Sequence, residues 1–303
     1  MRVSISAALT ARAAKPDFVF LTGDLGYDAL EPLREAMQGR FINAGISEQN
    51  MISVAVGLAG AGLDPWCYSI APFLYARPFE QIRNDACLHR LPVRLVANGG
   101  GYGYGVMGAT HHAIEDYGAL LSLQHMRVFV PAFAEDIVPL VELASSIREP
   151  IYYRLGRSEK PADYHLAPYS PWRRLVSGPA GVVLAVGPLA GSLLSAALQS
   201  SENARPTVWV VTELPVTVET LPEEFLDDVD VTGNLLVAEE HVRHGGVGET
   251  LAALLLEHGR LPKRYRLRCA AGYPSGTYGS QTFHRKESGL DAESILSDLV
   301  ART

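Results

Sequence analysis

Residues Ile42 to Gly62 read INAGISEQNMISVAVGLAGAG. A short extended start gives way at Gly45, Ser47 is able to cap a helix, and Glu48 and Gln49 fall in its first turn. The run that follows, MISVAVGLAGAG, has small or apolar residues on every side of a helical projection, which predicts a buried helix. Composition alone asks nothing more of Glu48, because an acid in a first turn complements the helix dipole by about 0.3–1 kcal/mol. The buried helix behind it argues for a further role. A carboxylate at the mouth of such a helix loses hydration, an environment suited to proton exchange with a heterocyclic nitrogen.

Outward from this stretch, short apolar runs alternate with helical ones. FVFLT (18–22), PWCYSI (65–70), VRLVAN (93–98), RVFVP (127–131) and PIYYRL (150–155) predict strands, with helices near 31–38, 47–62, 74–89, 113–124 and 134–147. The strands are apolar on both faces, as a parallel sheet covered by helices requires. The segment GRSEKPADYHLAPYSPW (156–172) is polar, rich in proline and without periodicity, and reads as a linker. A second α/β pattern follows in VVLAV, SLLSAALQ, TVWVVT, NLLVAEE, GETLAALLLEHG, YRLRCAAG and AESILSDLV. The expected fold is α/β: two consecutive doubly wound, mostly parallel-sheet domains over residues 1–158 and 178–303, joined by a linker at 159–177.

Composition agrees with this. With 303 residues, 48% of them apolar and 19% charged, the chain holds enough core for about two domains and is not disordered. A net charge of −7 argues against a nucleic-acid or anionic-membrane surface. Cys67, Cys87 and Cys269 are far apart, forming neither a CxxC pair nor a disulfide framework, which fits a reducing compartment. The start, MRVSISAALTARAAKPD, is too polar-interrupted for a signal peptide, so a cytoplasmic location is expected. The uncharged run from Leu175 to Ser201 has the length of a membrane span, but Pro179, Pro188 and its serines and glycines divide it into strand, turn and helix.

Several motifs have bland readings. Gly103, Gly105 and Gly108 satisfy the dinucleotide pattern, yet no acid ends RVFVP where a ribose needs one, so the match is read as false. GGVG (245–248) suits either an anion at a helix N-terminus or close packing, and EEH (239–241) reads as structural or interfacial. His111 and His112, after Thr110, read as a solvated helix start or as half a metal site that lacks a third ligand at suitable spacing.

Taken together, the motifs resemble transketolase-like, thiamine-diphosphate-dependent enzymes. GISEQN with its Gly/Ala-rich helix resembles that family's GxxEQ segment. YSIAPFLYARPFEQIRNDACLHRLPV (68–93) resembles the stretch supplying aromatic contacts to the cofactor's pyrimidine, and GATHHAIEDYGALL (108–121) the G-x-TH-x-x-x-ED segment. VAEEHVRHGGVGETLAALL (237–255), GYPSGTYG (272–279) and GLDAESI (289–295) resemble the family's C-terminal domain. These matches are collinear from Thr22 to Ile295.

The resemblance implies a pyrimidine-binding domain followed by a transketolase C-terminal-like domain. Glu48 would hydrogen-bond the aminopyrimidine N1′ and favour its imino tautomer, which deprotonates the thiazolium carbon that attacks a ketose or 2-oxo carbonyl. Phe73, otherwise an ordinary core aromatic, would stack on the pyrimidine. Asp24 and Leu25, otherwise turn residues, match the pyrimidine-side loop. His111 matches the histidine facing the substrate, and Arg157, otherwise a solvated linker arginine, matches a position that binds substrate phosphate. Met107 stands where transketolases carry an Asp that reads a sugar hydroxyl, Gly99 stands where a further substrate histidine is found, and Asp28 lies near a phosphate-contacting serine. An ordinary pentose-phosphate transketolase is therefore not expected.

The family holds the diphosphate through Mg²⁺ on a GDG…N motif. GDL (23–25) with Asn43 has the wrong spacing and context for it, so no metal ligands are expected in this chain. The diphosphate and Mg²⁺ would be held by a separate N-terminal transketolase-like subunit in a heterotetramer of two plus two chains. This reading makes the chain the C-terminal subunit of a split transketolase. A β-subunit-like component of a 2-oxo acid dehydrogenase or decarboxylating carboligase is the alternative, and a non-catalytic scaffold subunit the further one.

Overall fold

The computed structural model describes residues 1–26 and 28–301. The strands are β1 (Phe18–Thr22), β2 (Phe41–Asn43), β3 (Asp64–Ile70), β4 (Arg94–Asn98), β5 (Arg127–Phe129), β6 (Ile151–Leu155), β7 (Trp172–Val176), β8 (Val182–Val186), β9 (Thr207–Val211), β10 (Glu213–Leu214), β11 (Asn234–Ala238) and β12 (Arg264–Arg268). They form a seven-stranded sheet in the order β10-β5-β6-β4-β3-β1-β2 and a five-stranded sheet in the order β12-β11-β8-β9-β7. Pairing is parallel except at two edges, where β10 runs antiparallel on β5 and β7 antiparallel on β9.

Alternation along the strands explains the double winding. In the first sheet Leu21, Cys67 and Leu95 face Met51, Ile52 and Ala55 of helix Glu48–Gly60. Their neighbours Phe20, Trp66 and Val96 face the opposite way, against Ile5 and Leu9, Leu33, and Leu140 of helices Arg2–Arg12, Glu31–Met37 and Ile137–Ala144. The second sheet repeats this with Leu184, Trp209 and Leu235 on one face and Val183, Val208 and Leu236 on the other. One apolar cluster runs through both domains, from Val19 to Leu255.

The structure corrects several expectations. The 159–177 linker is not all linker: Trp172 to Val176 form an edge strand, with Trp172 and Leu175 buried and Arg173 buried against Asp136. The domain boundary is crossed again where β10 returns to the first sheet. The expected helix near 74–89 is broken into Ala71–Tyr75, Phe79–Gln81 and a π-helical turn Ile82–Cys87, because Pro78 has no amide hydrogen to continue it. The helix expected at 113–124 shortens to Asp116–Leu121. Helix Glu48–Gly60 is buried on one side only, with Gln49, Asn50, Ser53, Val54 and Gly57 exposed. The uncharged run near 175–201 forms β8 and helix Ala190–Gln199, and among the described residues no helix is long and apolar enough to cross a membrane.

Candidate active site

Parallel strands deliver their ligand-binding loops at their carboxyl ends, and Glu48, Phe73 and His111 gather there. β3 ends at Ile70 and runs directly into helix Ala71–Tyr75, which carries Phe73. Beside it, helix Glu48–Gly60 turns its first residue inward, leaving the Glu48 side chain 3% exposed. The Glu48 carboxylate accepts hydrogen bonds from Arg77 Nη1 at 3.0 and 2.9 Å, and Ser69 Oγ lies 3.5 Å from Oε1. Gly23, just past β1, brings that loop alongside, since a Cβ there would sit 3.6 Å from Glu48 Oε1.

The guanidinium carbon of Arg77 stands 3.7 Å over the Phe73 ring centroid. The His111 ring lies 5.2 Å from that of Phe73, at 62°, and 5.9 Å from that of Tyr104. Thr110 Oγ1 is 2.9 Å from His111 Nδ1, which leaves Nε2 as the nitrogen available to a ligand. Glu48, Phe73 and His111 are thus brought together. Asp24 adjoins them through Gly23, adopts φ 55° and accepts a hydrogen bond from Asn43 Nδ2 at 2.8 Å. The Leu25 carbonyl accepts from Thr22 Oγ1 at 3.0 Å. Arg157 stands apart, exposed beyond the end of β6, where it adds to burial in depressing the pKa of the N-terminal amine.

The second domain holds the His111 loop from outside. Gly108, at φ 74°, lies against Tyr278, and a Cβ there would sit 2.8 Å from its ring. His112 is buried with Nε2 donating to Gly105 O at 2.8 Å and Nδ1 meeting Tyr273 Oη at 2.9 Å, and burial pushes its pKa down. With both nitrogens engaged it is no metal ligand, and among the described residues no cluster of three or more His, Cys, Asp or Glu gathers to hold one.

The EEH stretch is the seam between the domains. Glu239 accepts from the amides of Val247 at 2.8 Å and Gly248 at 3.0 Å, so the helix N-terminus at GGVG is filled by the chain's own carboxylate. Burial raises the Glu239 pKa despite these donors and the Tyr117 hydroxyl at 2.5 Å. Burial would raise Glu240 as well, but Arg285 and Gln281 bring it net below the usual carboxylate range. His241 accepts from the Gly118 amide at Nε2, 3.0 Å, and burial lowers its pKa to about 4.

Over residues 4–162 the chain matches the family profile "Transketolase, pyrimidine binding domain". The chain belongs to this family. It is 28% identical over 278 residues to an apulose-4-phosphate transketolase subunit of Actinobacillus succinogenes, covering 88% of this chain and 86% of that one. To the 1-deoxy-D-xylulose-5-phosphate synthase of Myxococcus xanthus it is 31% identical over 300 residues, 94% of this chain but 48% of the relative. A solved structure described as a split gene transketolase, inactive β4 tetramer, superposes with a TM-score of 0.80 at 28% identity, covering 98% of this chain and 96% of the other. The chain therefore corresponds to the C-terminal half of a transketolase-like enzyme of the kind divided between two genes.

The family implies thiamine diphosphate, and the donor set fits its pyrimidine end. A buried carboxylate stands beside an aromatic face, and the group now filling both contacts, the Arg77 guanidinium, is itself planar and carries N–H donors. Sequence reasoning misses Arg77, Ser69 and Tyr104, none of which carries a motif of its own.

Proposed function

We propose that the chain is the catalytic C-terminal subunit of a split transketolase-like enzyme that moves a two-carbon ketol unit from a ketose or ketose phosphate to an aldehyde. The observation that carries this reading is the inward-turned Glu48 carboxylate beside Phe73 and His111. Thiamine diphosphate, when bound, supplies the carbanion chemistry. Glu48 holds or moves a proton at the pyrimidine nitrogen, Phe73 bears the ring, and Asp24 and Leu25 border it. His111, through Nε2, hydrogen-bonds the sugar oxygen that changes protonation, and Arg157 meets a substrate phosphate at the outer rim. The diphosphate and its Mg²⁺ are held by a partner subunit carrying the GDG motif, in a complex of two plus two chains in the cytoplasm, and the chain is active only there.

Co-expression with such a partner tests the reading. The reconstituted pair should transfer a ketol unit without an external oxidant, and Glu48→Gln should lower turnover by about 10²–10⁴-fold while assembly persists. Full activity in that variant would remove Glu48 from the chemistry. Release of CO₂ from a 2-oxo acid with a lipoyl acceptor, in place of ketol transfer, would replace the transketolase reading with the dehydrogenase one.

A further inference from the structure

Arg77 makes the two contacts that an aminopyrimidine would need. One of its nitrogens spans both Glu48 oxygens, at 3.0 and 2.9 Å, and its carbon lies 3.7 Å above the Phe73 ring. That height is a stacking distance, so no second planar group fits between the guanidinium and the ring face it covers. The carboxylate is almost fully buried, and a buried acid left without a counter-charge is strongly destabilising. Arg77 supplies that counter-charge in the structure.

We infer that Arg77 is a built-in occupant of the pyrimidine subsite, pairing with Glu48 and covering Phe73 until the cofactor's aminopyrimidine displaces it. This rests on the reading of Glu48 and Phe73 as that subsite. The local structure suits a removable occupant. Arg77 sits in the turn between helices Ala71–Tyr75 and Phe79–Gln81, and its side chain is 43% exposed against 3% for Glu48. It offers a single nitrogen to the carboxylate rather than a two-pronged fork, the weaker of the two geometries. Gln49 Nε2 donates to the Arg77 carbonyl at 3.2 Å, holding the backbone of the turn while the side chain is free to swing. Occupant and cofactor are then competitors, and the apparent cofactor affinity is reduced by the fraction of chains in which the subsite is closed.

The test is thiamine diphosphate binding by the reconstituted complex, titrated calorimetrically for wild type, Arg77→Met, Arg77→Lys and Glu48→Gln, with crystal structures of the free chain and the loaded complex. Arg77→Met should bind about tenfold more tightly, and Arg77→Lys, which keeps the charge but not the planar group, should fall between. In the loaded complex the guanidinium should have left the Phe73 face. Weaker binding by Arg77→Met would overturn the inference by making Arg77 a cofactor ligand, as would a loaded structure with Arg77 still stacked on Phe73. If wild type binds and Glu48→Gln weakens binding while Arg77→Met does not tighten it, the inference fails and the subsite reading survives. If wild type binds no thiamine diphosphate, both fail.

Discussion

Acidification from pH 7 to pH 5 should loosen the seam between the two domains, and His241 carries a definable share of the loss. His241 is fully buried, its Nδ1–H donates to the Val242 carbonyl at 2.6 Å, and its Nε2 accepts the Gly118 amide at 3.0 Å. Protonation would put a hydrogen on Nε2 facing that amide hydrogen, so two donors would meet where one acceptor is required. The folded pKa of about 4 lies below the ordinary value of 6.5. The unfolded chain therefore takes up a proton first, and stability is lost as pH falls from 6.5 toward 4. Over the window from pH 7 to 5 the linkage integral for these two values gives a loss of ~2 kcal/mol. Urea unfolding followed by tryptophan fluorescence, at fixed chain concentration, measures it. His241→Gln keeps an acceptor for Gly118 without a titrating group, so its stability should fall by ~2 kcal/mol less over the same window. Equal pH slopes in wild type and variant would refute the assignment of this proton to His241.

Further outcomes follow from neighbouring geometry. Glu240 accepts from Tyr102 N at 2.8 Å and from Gln281 and Arg285, so Glu240→Ala should cost about 3–5 kcal/mol in the same unfolding assay by leaving Arg285 half-buried and unpaired. Gly101→Ala should destabilise clearly more than Gly259→Ala: both need a positive φ, but only Gly101 would drive a Cβ to 2.7 Å from Glu240, while nothing lies within 4 Å of the other. Phe73→Leu in the reconstituted complex should weaken thiamine diphosphate binding by roughly 0.5–1.5 kcal/mol, the worth of an aromatic stack, and calorimetry reads it directly.

The sequence yielded the elements whose signal is local. β1, β3, β4, β6, β8 and β9 are continuous apolar runs bounded by breakers, and their partners in a doubly wound sheet follow from the alternation with helices. It failed where a tertiary partner overrides a local rule. WRRLV at 172–176 falls within the expected 159–177 linker, yet it forms an edge strand in which Arg173 is neutralised by Asp136, thirty-seven positions earlier, at 2.7 Å. The uniformly apolar look of MISVAVGLAGAG predicts burial on every side, but small residues are compatible with an open face as well as a closed one, and Ser53 and Gly57 line the open one. The helix beginning at Glu48 was legible because its pattern spans a few residues. Arg77 was harder, since its meaning depends on a contact with Glu48 across twenty-nine positions.

The same division explains how the site is built. Glu48 and Phe73 are fixed by the core of the first sheet, through Met51, Ile52 and Leu74, which are all fully buried. His111 belongs to a loop that is held by the second domain, through Tyr273 on His112 and Tyr278 over Gly108. Glu48 and Phe73 on one side and the His111 loop on the other therefore rest on separate supports. Val106 and Met107 are exposed on that loop, so changes there leave the packing behind Glu48 untouched. On the proposed transketolase-like reading, the departure at Met107 bears on sugar recognition and leaves the pyrimidine subsite intact. The Gly118–His241 hydrogen bond at 3.0 Å adds a further contact between the second domain and the first.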